Sequence, residues 1–353
     1  MRKKTGLMMV AFILLGCSMQ AQTKLSKVLE QASLGGYAVV KDTYTDESSV
    51  DAKSNFSVRM VRFYVNGTLG SDWKYKAQME FSGEPGTNKG VRLLDAYAEW
   101  GKYKAIAVRV GQMKRAFSFE NPYSPWAVGH TNYSMVVRNL VAFSDRAGEQ
   151  PSGGRDLGVL IKGDLFPLTT HRFLHYELGL YNGEGINHAD RNSSKDIIGG
   201  ISIRPLKELQ IGVFGWNGEY GTEQNKVTRR RMAFGVKYES QWSARAEYIT
   251  SKGGVFMHPE MSDRADGWYA TVGIPVCKKL KIYPRWDVYR QEKTNDTKTE
   301  NFGVTFNYTV YKNLMLQAAY YYSNQRVATY SNNVRSTTDV NSNHLAAELY
   351  IRF

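Results

Sequence analysis

The sequence has little cysteine, little proline and, past its first 20 or so residues, no long apolar run. Two cysteines among 353 residues exclude a scaffold built on disulfides. No later apolar run approaches the roughly 18 to 20 residues that a membrane-spanning helix needs. With 42% hydrophobic and 13% aromatic residues, the chain is also too rich in core-forming side chains to be disordered. If the protein lies in a membrane, it must therefore cross it with strands.

The N-terminus predicts export. Three basic residues, Arg2, Lys3 and Lys4, precede an apolar segment at 6–16 that has the length of a signal-peptide core. We expect cleavage after Ala21, with lipidation at Cys17 as the alternative. Cleavage after Ala21 would leave Cys277 as the only cysteine and exclude an intramolecular disulfide. Although the full chain has a net charge of +13, we expect no nucleic-acid partner for an exported protein.

Three regions follow from this interpretation: a signal peptide at 1–21, a short periplasmic segment at 22–34 and a barrel at 35–353. Apolar residues at helical spacing predict one short amphipathic helix in the second region; they are Leu25, Val28, Leu29 and Ala32. Elsewhere helical periodicity is nearly absent.

From residue 35 onward apolar and polar residues alternate with a period of two, which is typical of strands. Sixteen segments are predicted as strands: 35–44, 56–70, 73–82, 92–100, 104–112, 155–163, 171–181, 197–204, 208–217, 229–239, 242–251, 267–274, 279–289, 300–310, 313–323 and 343–353. The connections after even-numbered strands are short and those after odd-numbered strands are long. This pattern predicts an all-β fold, a single transmembrane antiparallel β-barrel of about 16 strands with short periplasmic turns and long extracellular loops.

Alternation also identifies the two faces of the barrel wall. On the third strand Trp73, Ala77 and Phe81 share one face, and Lys74 and Lys76 share the other. Sixteen strands enclose too wide a lumen to be filled by apolar side chains, so the apolar face is predicted to contact lipid and the charged face water. We interpret five tryptophans near strand ends as aromatic girdles: Trp73, Trp100 and Trp242 on the periplasmic side, Trp216 and Trp268 on the outer side.

Several stretches resemble the phosphate-selective porin O and P family. They are Arg59-Met-Val-Arg62, Asn66-Gly-Thr68, Asp72-Trp-Lys-Tyr-Lys76, Leu94-Asp-Ala-Tyr97, Val110-Gly-Gln-Met-Lys114 with Phe117 and Glu120, Gly154-Arg-Asp-Leu-Gly158, and Leu180-Tyr-Asn-Gly-Glu-Gly185. The resemblance implies a homotrimeric channel of sixteen strands, located in the outer membrane of a Gram-negative bacterium, whose third loop folds inward and narrows the pore. By sequence that loop is 113–154, and its many aromatic residues suit packing against the barrel interior. An exposed lid is the alternative.

Strand parity and loop position nominate nine basic residues as pore-lining or anion-binding candidates: Arg62, Lys74, Lys76, Arg109, Lys114, Arg115, Arg245, Lys281 and Arg285. Rings of arginine and lysine at a constriction favour anions, and guanidinium groups match phosphate oxygens. The alternative interpretation is the solvated face of a barrel with mixed charge.

These observations predict an outer-membrane porin for passive diffusion of small solutes, with an anion preference and phosphate as the first candidate. A non-specific diffusion porin, a surface adhesin and a rim enzyme are the alternatives. No catalytic residue, metal or cofactor is predicted. His171 and His175 lie four residues apart, which on a strand separates them by about 13 Å, too far to share a metal.

Overall fold

The computed structural model describes residues 32–353 except 48–53, 83–89, 142, 257, 260, 294–296 and 332–333. Sixteen antiparallel strands form one closed barrel, which confirms the predicted fold class. The strands are β1 (Ala32–Thr45), β2 (Ser54–Leu69), β3 (Trp73–Ser82), β4 (Arg92–Tyr103), β5 (Ile106–Lys114), β6 (Arg155–Pro167), β7 (Arg172–Tyr181), β8 (Asp196–Ile203), β9 (Leu209–Gly221), β10 (Lys226–Glu239), β11 (Ser243–Lys252), β12 (Arg264–Pro275), β13 (Leu280–Arg290), β14 (Lys298–Tyr311), β15 (Leu314–Ser331) and β16 (Val334–Arg352).

The N-terminal segment differs in part from the sequence prediction. The predicted signal peptide and almost all of the predicted amphipathic helix lie outside the described residues. β1 begins at Ala32, inside the segment 22–34 that we predicted to precede the barrel.

The first and last strands pair to close the barrel. Tyr37 lies opposite Arg352 in the β1–β16 register. The backbone N–H of Gly36 donates to the carbonyl of Phe353 at 2.8 Å, and the N–H of Phe353 donates to Gly36 at 3.1 Å. Because every strand has two neighbours, the barrel has no free edge.

The strand faces divide as the alternation predicts. On β10 the outward side chains Met232 and Phe234 are 49% and 48% exposed, whereas Arg229, Arg231 and Ala233, on the opposite parity, point inward and are buried. The same exposed apolar face continues on β8, β9 and β11 to β13 and forms a belt around the barrel. Such a belt is the surface that a bilayer covers.

The connections differ in length at the two ends of the barrel. The turns after even-numbered strands are short, for example 70–72 and 104–105. Two connections after odd-numbered strands are also short, contrary to the sequence interpretation: β9 and β10 are joined by 222–225, and β15 and β16 by 332–333. There the strands continue as paired hairpins past the apolar belt, so residues that we had assigned to loops belong to strands.

The long connection between β5 and β6 carries helix α1 (Met135–Leu140), which has six residues. Ser134 caps this helix, because its hydroxyl accepts the N–H of Val137 at 3.4 Å. In the described part of the chain no helix is long and apolar enough to cross a membrane.

The inner wall of β8 to β13 is apolar where this connection covers it. Ile198, Phe214, Trp216, Ile249 and Tyr269 are buried in one cluster with side chains of the connection. The placement of Trp216 in an outer girdle was therefore wrong. Its side chain points into the barrel and is only 3% exposed, whereas Trp73 and Trp242 do lie on the outer surface.

Candidate pore constriction

The connection between β5 and β6, which we call loop 3 (residues 115–154), is held inside the barrel from its first turn. The carboxylate of Glu247 on β11 accepts the N–H groups of Phe119 at 2.8 Å and Glu120 at 2.9 Å, and the hydroxyl of Ser118 at 3.0 Å. Ser118 has a φ of 74°, an uncommon conformation for a residue with a side chain. The hydroxyl of Tyr269 also donates to Glu247 at 2.6 Å. One buried carboxylate thus satisfies four donors, three of them in loop 3.

The middle of loop 3 is held by β11, β12 and β14. Arg245 donates to the carbonyl of Val128. The hydroxyl of Thr271 donates to the carbonyl of Pro284, so its oxygen can only accept from His130, whose Nε2–H lies 2.8 Å away. The Nδ1 atom of His130 is then unprotonated and accepts from the hydroxyl of Thr305 at 3.2 Å. Burial lowers the pKa of His130 well below 6.5, and the nearby Arg245 and Arg285 lower it further. This histidine is therefore neutral in its docked position.

The start of helix α1 is held by β13. Asp287 accepts the N–H of Met135 at 2.8 Å, and Arg285 donates to the carbonyl of Asn132 at 2.8 Å. A carboxylate at a helix N-terminus satisfies a donor that the helix itself leaves open. Two inward side chains of one strand thereby fix both the position and the direction of the helix.

The last part of loop 3 is held by a buried ion network. Arg115 donates to Glu149 at 3.0 Å and to Asp156 at 2.6 Å, and all three side chains are fully buried. Arg229 forms ion pairs with both Glu149 and Asp196, and its guanidinium lies 2.8 Å from the carboxylate of Asp196. Burial alone would lower the pKa of Arg115, but the carboxylates of Glu149 and Asp156 raise it above its usual value. Two arginines and three carboxylates thus bind the end of the loop to the wall.

The tip of loop 3 reaches the seam of the barrel. Trp126 packs edge-on against Tyr350 of β16, with ring centroids 6.0 Å apart, and Arg352 lies over the Trp126 ring at 4.9 Å. Val39 of β1 and Met60 of β2 complete this small apolar cluster inside the barrel. Trp126 therefore narrows the lumen at this level.

A cavity of about 550 Å³ lies between residues 122–127 of loop 3 and the inner wall of β16 and β1 to β6. Its lining contains six cations and one carboxylate; the cations are Arg62, Lys76, Arg109, Lys114, Arg155 and Arg352, and the carboxylate is Asp95. Tyr37, Tyr64, Tyr97, Tyr123 and Trp126 contribute aromatic surface. The lumen beside the tip of loop 3 is thus strongly basic and partly aromatic.

Carboxylates behind the cations orient several of them. Asp95 pairs with Lys76 at 3.0 Å and with Arg155 at 2.7 Å. Arg109 pairs with Glu99 at 2.6 Å and stacks on the ring of Tyr97 at 4.2 Å. These pairs fix the side chains, and they also reduce the net positive charge that a solute would meet.

Two cations of the cavity have no carboxylate partner among the described residues, Lys114 and Arg352. Lys114 donates to the carbonyl of Asn121 and, at 3.2 Å, to that of Tyr123. Arg352 lies on Trp126. No carboxylate of the described residues therefore compensates either of these two side chains.

The nine candidates from the sequence fall into three groups. Arg62, Lys76, Arg109 and Lys114 line the cavity. Lys74 and Lys281 lie nearer the periplasmic end of their strands and outside its lining. Arg115, Arg245 and Arg285 hold loop 3.

The sequence candidates left out two lining residues, Arg155 and Arg352. Arg352 is on the inward parity of β16 and could have been nominated by the rule that found Lys76. Arg155 begins β6 directly after loop 3. Its distance in sequence from Asp95 gave no signal that the two would pair.

Two smaller cavities adjoin the constriction. One of about 210 Å³ lies beside Arg59, Arg62 and Arg92, and one of about 200 Å³ lies on the other side of loop 3, beside His130, Arg285 and His344. Loop 3 therefore divides the lumen unequally, and the larger cavity carries more of the basic groups.

No grouping suited to metal binding occurs within the described segments, where three or more His, Cys, Asp and Glu side chains nowhere converge for an ion. His171 contacts the carbonyl of Arg204 at 2.8 Å, whereas His175 pairs with Asp164 at 2.9 Å. The two histidines have separate partners.

Residues 35–195 match the family described as phosphate-selective porin O and P. The resemblance found in the sequence is confirmed. No curated protein matches the chain. The match ends just before β8 and covers nearly all of β1, the strands β2 to β7 and loop 3, which together supply every residue of the basic cavity's lining except Arg352.

Solved structures share the fold over nearly the whole length of this chain. The anion-selective porin from Comamonas acidovorans is 14% identical, with a TM-score of 0.68 over 91% of this chain and 99% of that chain. The outer membrane channel DcaP of Acinetobacter baumannii is 12% identical, with a TM-score of 0.63 over 91% and 97%. The trimer form of OmpT from Vibrio cholerae is 10% identical, with a TM-score of 0.62 over 91% and 99%. Fold and family match support a location in the outer membrane.

Proposed function

We propose that this porin is a passive diffusion channel that prefers small anions, with inorganic phosphate as the first candidate solute. The observation that carries the proposal is the lining of the large cavity, six cations against one carboxylate. Positive charge in a narrow passage with low-dielectric walls concentrates anions and repels cations. The proposal assigns the protein no enzymatic activity.

Phosphate suits the donors of this cavity. Arginine guanidinium groups offer paired N–H donors that match two phosphate oxygens. The hydroxyl of Tyr37 accepts from Arg62 at 2.8 Å, which leaves its own proton for an anion. An anion that enters the cavity can therefore replace its hydrogen bonds to water by hydrogen bonds to charged arginine groups and to a neutral tyrosine hydroxyl.

The test is the reversal potential of the purified porin in a planar bilayer with a salt gradient. We expect anion preference that weakens at high salt, because the Debye length falls from about 10 Å at 0.1 M to about 3 Å at 1 M. Replacing Lys76, Arg109 and Arg352 together by Glu should reverse the preference. The matched control replaces Lys102, Lys104 and Lys312, which are exposed at periplasmic turns, by Glu. A wild-type channel that prefers cations would refute the proposal.

A non-specific diffusion porin is the second candidate, and one observation favours it. Asp95 and Glu99 pair with Lys76 and Arg109, and Glu80 pairs with Arg62 at 2.7 Å, so part of the basic charge is compensated. Added phosphate distinguishes the two candidates. A phosphate-binding constriction loses chloride current as phosphate rises, whereas a general pore does not.

The same proposal includes a homotrimer. The similar OmpT structure is described as a trimer, and this porin has an apolar outer groove beside its seam. Val40, Phe56, Phe306 and Leu316 line that groove, whose volume is about 390 Å³. Native mass spectrometry of the detergent-solubilised porin tests the assembly. Masses of a monomer alone would contradict it.

A further inference from the structure

Basic side chains cluster on the outer surface of β10 to β13, just past the apolar belt at the loop end of the barrel. Arg230 is the next outward residue after the exposed Met232 on β10. Register places Arg230 opposite Lys252 of β11, and Lys252 opposite Arg264 of β12. All three side chains are exposed. We call these three residues the outer basic patch.

The fold itself gains nothing from this arrangement. Residues directly opposite on antiparallel strands lie about 4.5 to 5.5 Å apart, and like charges at that distance are destabilising. In the described part of the chain, Arg230 and Lys252 have no ion-pair partner. Arg264 has one weak contact, with the exposed Asp263 at 4.0 Å. An anion from outside the chain would relieve this repulsion.

Neighbouring cations add to the positive field. Asp266 lies one outward position from Arg264 on β12 and is fully buried by its partners. Arg290 pairs with it at 2.5 Å and Lys293 at 2.9 Å. Two cations surround this single carboxylate, so the region stays strongly basic.

Two tryptophans give the height of the patch relative to the bilayer. Trp268 and Trp286 pack edge-to-face on the outer surface with ring centroids 5.0 Å apart. Trp268 is two residues from Asp266, roughly 7 Å of strand. Tryptophan rings lie at the level of lipid headgroups. The outer basic patch therefore lies where the headgroups of the outer leaflet begin.

Two other outward cations at this end of the barrel are each paired with a carboxylate, Lys298 with Glu300 at 2.6 Å and Arg326 with Asp339 at 2.8 Å. At the same end of β1 the outward side chains include Asp42, which accepts from Ser54, and the adjoining Asp46 binds Asn343. A uniform rim of cations would suit general contact with water or lipid. A cluster of cations almost without carboxylate partners among the described residues, on a rim whose other charges are paired or acidic, favours a localised anionic partner.

We propose that the outer basic patch binds the phosphate groups of phosphorylated glycolipid headgroups in the outer leaflet. Exposed arginine and lysine at the headgroup level recognise lipid phosphates through charge and hydrogen bonding. The inference rests on the outer-membrane location and is independent of solute selection in the lumen.

The test is lipid retention measured by native mass spectrometry of the whole porin in detergent. The probes are lipid A with its phosphates, the same lipid A after phosphatase treatment, and inorganic phosphate as a competitor. We expect the phosphorylated lipid to be retained at least tenfold better than the dephosphorylated lipid. Inorganic phosphate at millimolar concentration should not displace it.

The variant R230Q/K252Q/R264Q should lose that preference, and the control K102Q/K104Q/K312Q, with three exposed cations at periplasmic turns, should keep it. Both variants should form channels with wild-type conductance, which shows that the barrel is intact. Equal retention by the patch variant and wild type, equal binding of the dephosphorylated lipid, or full displacement by inorganic phosphate would overturn the proposal. None of these outcomes depends on whether the lumen prefers anions.

Discussion

Glu247 on β11 accepts the backbone N–H of Phe119 at 2.8 Å inside the barrel, across 128 residues of sequence. The same carboxylate accepts the next N–H, of Glu120, at 2.9 Å. Backbone donors of a loop are usually satisfied by water. Here a wall residue satisfies them, so the position of loop 3 depends on this side chain.

We therefore expect Glu247→Ala to loosen loop 3 without opening the barrel. A buried N–H left without a partner costs about 1 to 3 kcal/mol. Hydrogen exchange should show faster exchange of the Phe119 and Glu120 amides, and single-channel records should be noisier. Glu208→Ala, in a periplasmic turn, is the control. Unchanged exchange rates would mean that the remaining contacts hold the loop alone.

Trp126 supplies the second prediction, because its ring packs on Tyr350 and below Arg352. Trp126→Ala should weaken docking of the loop tip by about 1 to 3 kcal/mol, less than the loss for a fully buried aromatic residue. It should also raise the single-channel conductance, since a bulky ring leaves the lumen. Trp126→Phe keeps an aromatic contact and should change the conductance less. A lower conductance in the alanine variant would contradict this assignment.

The two faces of the wall should tolerate charge differently. Ala77 points outward on β3, and Asn66 points inward at the level of Lys76, its partner in register. Ala77→Arg should cost about 2 to 4 kcal/mol near the bilayer midplane. Asn66→Arg should leave the free energy of unfolding nearly unchanged. Denaturant unfolding in lipid vesicles measures both values, and equal losses would show that the faces are wrongly assigned.

His130 predicts how loop docking depends on pH. Its pKa is held well below 6.5 in the docked loop, by burial and by Arg245 and Arg285. An undocked loop would restore a pKa near 6.5, so below that pH the undocked state binds the additional proton. Docking should thus weaken as pH falls, by up to about 1.4 kcal/mol for each pH unit until the docked pKa is reached.

Current fluctuations recorded from pH 7.5 to pH 5 test this dependence. His130→Asn removes the titrating group, so that variant should fluctuate more at pH 7.5 and respond less to acid. If variant and wild type respond equally, the pH dependence must come from other groups in the lumen.

The sequence was sufficient for the barrel because a period of two appears directly in the order of residues. Met232 and Phe234 alternate with Arg231 and Ala233, and the exposed face follows from the width of a sixteen-stranded lumen. Strand ends were less predictable. The β9–β10 hairpin continues past the apolar belt with the same alternation, so no turn residue interrupts the pattern where the belt ends.

The constriction was predicted only in part, because parity places a side chain in the lumen but does not say what covers it. Lys76 and Arg245 both have inward parity, yet they have different roles. Lys76 lines the cavity, whereas Arg245 donates a hydrogen bond to the carbonyl of Val128 in loop 3. One signal was present in the sequence. Ile198, Phe214 and Ile249 are apolar at inward positions, and apolar side chains on that face require a cover. Loop 3 supplies it.

The contact between Trp126 and Tyr350 has a consequence for how the chain folds. Tyr350 lies on the last strand, and the apolar cluster around it also includes Val39 of the first strand. The tip of loop 3 therefore cannot reach its final position until β16 has paired with β1. Contacts between such distant residues slow folding, because the chain entropy is lost before the contact is made. The channel should acquire its narrow section last, and a chain stopped just before closure would have nearly all of its wall and no finished pore.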